Sequence, residues 1–396
     1  MSQGVLESQE IAAAGPIDPA RRKRGMLFLG LAVGCVGFAL TVQIGLNANF
    51  LVDTIKVTPF QMGLSEAIRE SCGVLAFGVL AVLAGLAEPL VGALMLVLMA
   101  LGLGAYAYVP NFYWVIAMSV VWSQGVHVWM PLPSSITLSL AEPGRAGHRL
   151  GQMAAAGAVG SGLGLIVAYV LSQVGGTIRQ TFLMAGAAGL LGALACLGIP
   201  RDLKTPGPRL VVRRRYGLYY LLCFLEGWRK QIFLCFAPFL LVNVHHTEWP
   251  RMLLLWGVIQ VVSYLAAPRV GRLIDCVGER PTLMGYYATV VLVFIGYAFV
   301  PNLHALYFLF VLDSVIFLFN TATTTYVNRI APPAEHTSTL SAGVAANHVA
   351  AVSMPLAGGI LWTCLGPRWT FLAGAAAAVL SVIAATFVPR REITRS

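Results

Sequence analysis

Hydrophobic residues in this chain are gathered into long blocks separated by short polar stretches, and that spacing leaves few folds open. A helix needs about 20 apolar residues to cross a ~30 Å hydrocarbon core, and these blocks are of that order. A membrane β-barrel would instead show alternating segments of about 10 residues, which are absent. Composition agrees: 58% of residues are hydrophobic and 11% charged, against roughly 45–50% and about 25% in soluble domains. The expected fold is an all-α membrane protein with twelve transmembrane helices in two six-helix halves.

The spans predicted are 26–52, 60–86, 88–109, 112–140, 148–173 and 180–199, then 216–244, 250–268, 282–300, 303–330, 338–363 and 369–388. This gives a tail over 1–25, a six-helix bundle over 26–199, a linker over 200–215, a second bundle over 216–388 and a tail over 389–396. The linker holds Pro206-Gly207-Pro208 and the run Arg213-Arg214-Arg215, which breaks the helix and adds positive charge. The basic run Arg21-Arg22-Lys23-Arg24 precedes an apolar stretch too long for a signal peptide, so a retained first helix is expected.

The net charge of +10 sits in the short loops, which argues for membrane topology rather than nucleic-acid binding. With the N-terminus inside, nineteen Lys and Arg fall on the cytoplasmic side and only Lys56, Arg179, Arg251 and Arg368 outside. Both termini are therefore expected in the cytoplasm, with the chain multi-pass in a bacterial inner (plasma) membrane. Six of the seven cysteines lie inside apolar blocks, and none has a metal-ligand or paired spacing. Neither a disulfide framework nor a metal site is expected from them. No phosphate-cradling Gly-x-x-x-x-Gly-Lys-Ser/Thr loop exists, and no other cofactor is expected. Energy is then expected to come from a gradient.

An internal repeat supports the division into halves. Val109-Pro110-Asn111 recurs as Val300-Pro301-Asn302, and Ala141-Glu142-Pro143 as Ala331-Pro332-Pro333. The offset is 191 before span four and 190 after it. Parallel repeats of this kind form a binding site between them near the bilayer midplane.

Charges inside apolar spans cost several kcal/mol unless paired or wetted, and mark candidate function. Span two carries Glu66, Arg69 and Glu70 on one helix face, span seven Glu226, Arg229 and Lys230, and span ten Asp313. One carboxylate without a full partner can take a proton; the basic groups can bind an acidic group on a solute; or the set can form structural salt bridges. Gln43 and Asn47 share a face of span one, and Gln124 and His127 lie on span four. These groups can face a cavity or act as interhelix hydrogen-bonding glue. Trp228 lies between Glu226 and Arg229, and Asn347 and His348 replace small residues in span eleven. His127 and His348 are candidates for a proton or metal relay. Gly157, Gly160, Gly162 and Gly164 in span five point to close helix packing.

The stretch Gly271-Arg272-Leu273-Ile274-Asp275-Cys276-Val277-Gly278-Glu279-Arg280, expected as the loop between spans eight and nine, is similar to the G-x-L-a-D-r-x-G-r-R motif of the major facilitator superfamily. The first-half copy, around Gly85–Gly92, is eroded, and Arg145-Ala146-Gly147 resembles the superfamily's R-x-G signature. The resemblance implies alternating access by rocking of two bundles. Gly271, Asp275, Gly278 and Arg280 would form a conformational latch. The expected function is a secondary active transporter for a small polar or anionic organic solute, proton-coupled, working as a monomer in the lipid bilayer. Alternatives are a broad-specificity exporter of amphipathic compounds, or a non-transporting sensor or assembly factor on the same fold. No nucleophile–base spacing suggests an enzyme.

Overall fold

The computed structural model describes residues 18–142, 144–204 and 212–390. Pro143, the linker residues Pro206-Gly207-Pro208 and the outermost parts of both tails lie outside the described residues. Twelve long helical segments run in order: α1 Pro19–Ile55, α2 Pro59–Val82, α3 Glu88–Ala105, α4 Phe112–Leu140, α5 Ala146–Gln173 and α6 Ile178–Cys196. After the linker come α7 217–244, α8 Trp249–Val277, α9 Glu279–Phe299, α10 Leu303–Ile330, α11 Pro333–Leu365 and α12 Pro367–Thr386.

Ten of these segments are long and apolar enough to cross a membrane. The two that are not, α2 and α7, each hold three charges clustered in mid-helix, at 66–70 and 226–230. Helix α7 is also irregular: it passes through wider π-type turns at Ile232–Phe236 and Leu240–Val244, on either side of Pro238. A proline has no N–H to give and pushes on the preceding turn, and such local widening re-seats the freed groups.

The repeat has a physical basis at the helix starts. Asn111 accepts hydrogen bonds from the backbone N–H of Tyr113 and Trp114, at 3.1 and 3.4 Å, and so caps α4. Asn302 does the same for α10 from the N–H of Ala305 at 3.0 Å. At the far ends Ala141 and Ala331 both turn to extended backbone. Elsewhere Thr58 with Gln61, and Thr177 with Gln180, form reciprocal capping boxes that start α2 and α6.

Two expected boundaries need correction. Helix α1 begins at Pro19 behind the Asp18 cap, so the basic run 21–24 lies within the helix rather than before it. Helix α8 does not end at 268 but continues to Val277. The stretch from Gly271 to Val277 is therefore helical, and Gly278, at φ 88°, alone makes the break before α9. Only Gly278 needs glycine's freedom there; a Cβ on Gly271 would meet open space.

Within the first half, α1 packs on α5 and α6, and α3 on α4 and α6; in the second, α7 packs on α11 and α12, and α9 on α10 and α12. Glycines set the α1–α5 crossing, because a Cβ on Gly160 would overlap the Gly34 backbone. The two halves join along α2 against α11 and α8 against α5 and α1. Those contacts lie at the midplane and on the side away from the termini. Asn49 donates to the Thr247 carbonyl oxygen at 2.9 Å, Gly45 lies against Trp256, and Gly63 against Pro355 and Gly359. On the terminus-bearing side the described ion pairs Arg149–Glu142, Arg329–Glu279 and Arg215–Glu335 each join residues of one half.

A charged seam between the halves

The first charged group lies on α2, whose spacing of three and four residues stacks Glu66, Arg69 and Glu70 on one face. The Arg69 guanidinium bridges both carboxylates, reaching Glu66 Oε2 at 2.6 Å and Glu70 Oε1 at 2.6 Å. Asn47 of α1 donates to Glu66 Oε1 at 3.0 Å. The Arg69 guanidinium also lies 5.7 Å from the ring of Trp122 on α4. Two carboxylates share one guanidinium, which leaves this cluster a formal charge of −1.

Helix α4 brings His127 to the same place. Its Nδ1 lies 2.8 Å from the Ser123 carbonyl oxygen and 3.0 Å from Ser123 Oγ, and that hydroxyl donates to the Arg69 carbonyl oxygen at 2.8 Å. From the second half, α11 presents His348. Its Nδ1 stands 3.4 Å from Glu70 Oε2, and its ring centroid 5.2 Å from that of His127. The imidazole fits because Gly73 faces it: a Cβ at that position would overlap the ring. Glu70, His127 and His348 each sit near the middle of their helices, so this contact between halves lies at the midplane.

Beside it, Lys230 of α7 donates to Asn347 Oδ1 at 3.0 Å, and Asn347 in turn donates to the Cys223 carbonyl oxygen at 3.2 Å. Among the described residues Lys230 makes no ion pair. Its ammonium is the counterweight to the −1 on α2, placed on the opposite half.

The second charged group is of another kind. Arg229 donates to Glu226 Oε1 at 3.0 Å and to Asp313 Oδ1 at 2.7 Å. Tyr286 of α9 donates to Glu226, and the guanidinium lies between the rings of Tyr286 and Phe317. The three side chains are 1%, 2% and 0% exposed, so the triad is enclosed within the second half and does not face the seam. Adjacent residues of α7 thus serve different places: Arg229 points into its own bundle and Lys230 reaches the seam.

The remaining expected residues are scattered. Gln43 is buried on α1, and Gln124 has a buried amide nitrogen without a partner; neither joins the network. Trp228 donates to Ser353 Oγ at 3.0 Å, a contact between α7 and α11 inside the second half. Asp275 is exposed on the last turns of α8 and Arg280 sits in the first turn of α9. Sequence reasoning gave no role to Ser123, Tyr286, Gly73 or Gln231. Gln231 is fully buried on α7 with neither amide atom partnered. Its position beside Lys230 in a charged span was the signal available for it.

Twelve helices in two pseudo-equivalent halves, with ionisable groups held at the midplane where the halves meet, are the build of a multi-pass membrane transporter. The sequence matches the model of the Major Facilitator Superfamily over residues 27–319 and again over 252–396, and the chain belongs to that superfamily. It is a secondary transporter and not an enzyme. No curated protein matches it in sequence. Its fold is similar to that of the nucleoside transporter NupG, with a TM-score of 0.73 at 15% identity over 93% of this chain and 99% of that one. It is also similar to a bacterial homologue of the human lysosomal transporter Spinster in an inward-facing, unoccupied conformation (TM-score 0.77, 14% identity, 94% of this chain and 98% of that one). A peptide transporter, POT, in complex with sulfate gives a TM-score of 0.73 at 14% identity over 96% and 98% of the two chains.

Proposed function

We propose that this protein carries a small anionic organic solute across the plasma membrane by alternating access, coupled to protons, with both termini in the cytoplasm. The observation that carries the reading is Lys230. Among the described residues Lys230 is held only by the Asn347 amide, while the α2 carboxylates are already bound to Arg69. An ammonium with no direct carboxylate contact is costly in a membrane interior, and an acidic group on a solute would supply that contact. The α2 cluster supports proton coupling, since two carboxylates on one guanidinium leave one negative charge that a proton can neutralise. Glu70 is the better placed of the two, because it faces the other half through His348. The positive-inside count supports termini in the cytoplasm. The face on which the halves are packed, with Asn49, Thr247, Gly63 and Pro355, is then external.

The reading is tested in proteoliposomes with a panel of labelled organic anions and an imposed pH gradient. Wild-type protein is expected to accumulate one or more of them when the gradient is present. Lys230→Met is expected to abolish uptake. Glu70→Gln is expected to keep solute exchange while losing gradient-driven accumulation. Uptake by Lys230→Met with an unchanged KM refutes the anion assignment, and undiminished gradient-driven accumulation by Glu70→Gln refutes the proton assignment.

A further inference from the structure

Glu70 of α2, His127 of α4 and His348 of α11 each offer one donor atom that lies within 4.8 Å of the donors of the other two. We propose that these three side chains form a binding site for a divalent transition-metal ion of the zinc class, shared between the two halves.

The donor set is the first reason. Two imidazoles and one carboxylate are a common zinc-type combination, and imidazole favours Zn²⁺, Co²⁺ and Ni²⁺ over Mg²⁺ and Ca²⁺, which take oxygen. The second is spacing. Bonds of about 2.0–2.1 Å in a tetrahedral site put neighbouring donors roughly 3.4 Å apart. Glu70 Oε2 and His348 Nδ1 already stand 3.4 Å apart. The donor of His127 lies within 4.8 Å of the other two, so closing the set requires the three side chains to draw together by at most about 1.4 Å.

The third reason is that the outer atoms are already held. His127 Nδ1 donates to the Ser123 carbonyl oxygen at 2.8 Å, so the lone pair is on Nε2. This is the arrangement that orients a ligating histidine. The second oxygen of Glu70 is held by Arg69 at 2.6 Å, leaving Oε2 to face inward. His348 Nδ1 is buried and has no hydrogen-bond partner, and a metal ion would use that nitrogen. Three protein ligands leave a fourth position for water or a small anion. The nearby charges are Glu66 and Arg69 on α2 and Lys230 on α7. With Glu70 they sum to zero, so an added dication is expected to bring an anion into the fourth position. Because His348 belongs to one half and the other two ligands to the other, a bound ion would tie the halves together at the midplane and oppose the rocking of the bundles.

The test uses the full-length protein, purified in detergent, stripped with chelator and titrated with Co²⁺ and then Zn²⁺. One equivalent of Co²⁺ is expected to give the intense visible bands of a four-coordinate ion, and Zn²⁺ to displace it. Zn²⁺, and not Mg²⁺, is expected to raise the thermal midpoint. His127→Ala and His348→Ala should each weaken binding by more than the roughly 10–100-fold that loss of an outer-shell partner costs. The His245→Ala/His246→Ala double variant, outside the site, should bind as wild type. X-ray absorption of the zinc-loaded wild-type protein needs no variant, and should show two imidazoles in the shell. Absence of saturable one-equivalent binding, retention of it in His348→Ala, loss of it only in the His245→Ala/His246→Ala variant, or a shell with fewer than two imidazoles overturns the assignment. Every readout is metal binding, so failure here would leave the transport proposal untouched.

Discussion

Replacing Arg229 by methionine isolates the contribution of the buried triad in the second half. Methionine has a similar stem and keeps contact with Tyr286 and Phe317, while the guanidinium and its bonds to Glu226 and Asp313 are lost. Tyr286 still donates to Glu226, but Asp313, fully buried, keeps no described partner. Breaking a buried pair by removing one member costs about 3–5 kcal/mol, because the remaining charge is stranded. Two carboxylates are stranded here, so the loss should fall at the upper end of that range. Asp313→Asn provides the contrast. Its carbonyl still accepts from Arg229, and the substitution removes the surplus negative charge of a triad with two acids and one base. The amide nitrogen takes the place of Oδ2, which has no partner among the described residues, so the cost should be that of one buried unsatisfied donor, about 1–3 kcal/mol. Neutralising all three, as Arg229→Met with Glu226→Gln and Asp313→Asn, should recover most of the loss, since apolar or neutral replacements of buried ion pairs are often tolerated. Thermal midpoints from scanning fluorimetry in one detergent, with fluorescence-detected size exclusion as a check on folding, order the variants. An Arg229→Met midpoint equal to wild type would mean that the triad is wetted. An Asp313→Asn loss equal to that of Arg229→Met would mean that charge balance is not what holds it.

Two further perturbations probe other parts of the molecule. Gly63→Ala places a Cβ against the Pro355 backbone where α2 meets α11 and should cost about 1–3 kcal/mol by overpacking; Gly78→Ala, on the same helix with nothing within 4 Å, should leave the thermal midpoint unchanged or raise it. On the terminus-bearing surface the Arg149 hydrogen bonds hold the Glu142 carboxyl down at about 2. A lowered carboxylate pKa adds stability above the unfolded value that is lost as pH falls toward the folded one, so the thermal midpoint of wild type should approach that of Glu142→Gln between pH 4.5 and about 2, and a constant difference across that window would refute the pairing.

Much of the architecture was legible in the chain because lipid imposes a simple rule: a backbone that crosses it must be helical, and long enough to do so. Block length therefore located all twelve helices, and α4 and α10 matched to the residue because asparagine caps and turn residues mark their ends. The end of α8 was misplaced because the polar stretch after Pro268 continues the helix, and hydropathy does not register a helix that has left the apolar zone. Residues that line up at three- and four-residue spacing also gave the pairing of Arg69 with both its glutamates, a contact within one helix.

Contacts between helices were not legible in this way. Glu226, Arg229 and Lys230 form one charged run in sequence, yet the rotation of α7 sends Arg229 to Asp313 in its own bundle and Lys230 to the seam. The sequence determined which spans hold charge; only packing decided which charges share a site. The same holds for Glu70, His127 and His348, which lie up to 278 positions apart in the chain and have no spacing to recognise. They meet because α2 of one half crosses α11 of the other, and because Gly73 leaves room there for an imidazole ring.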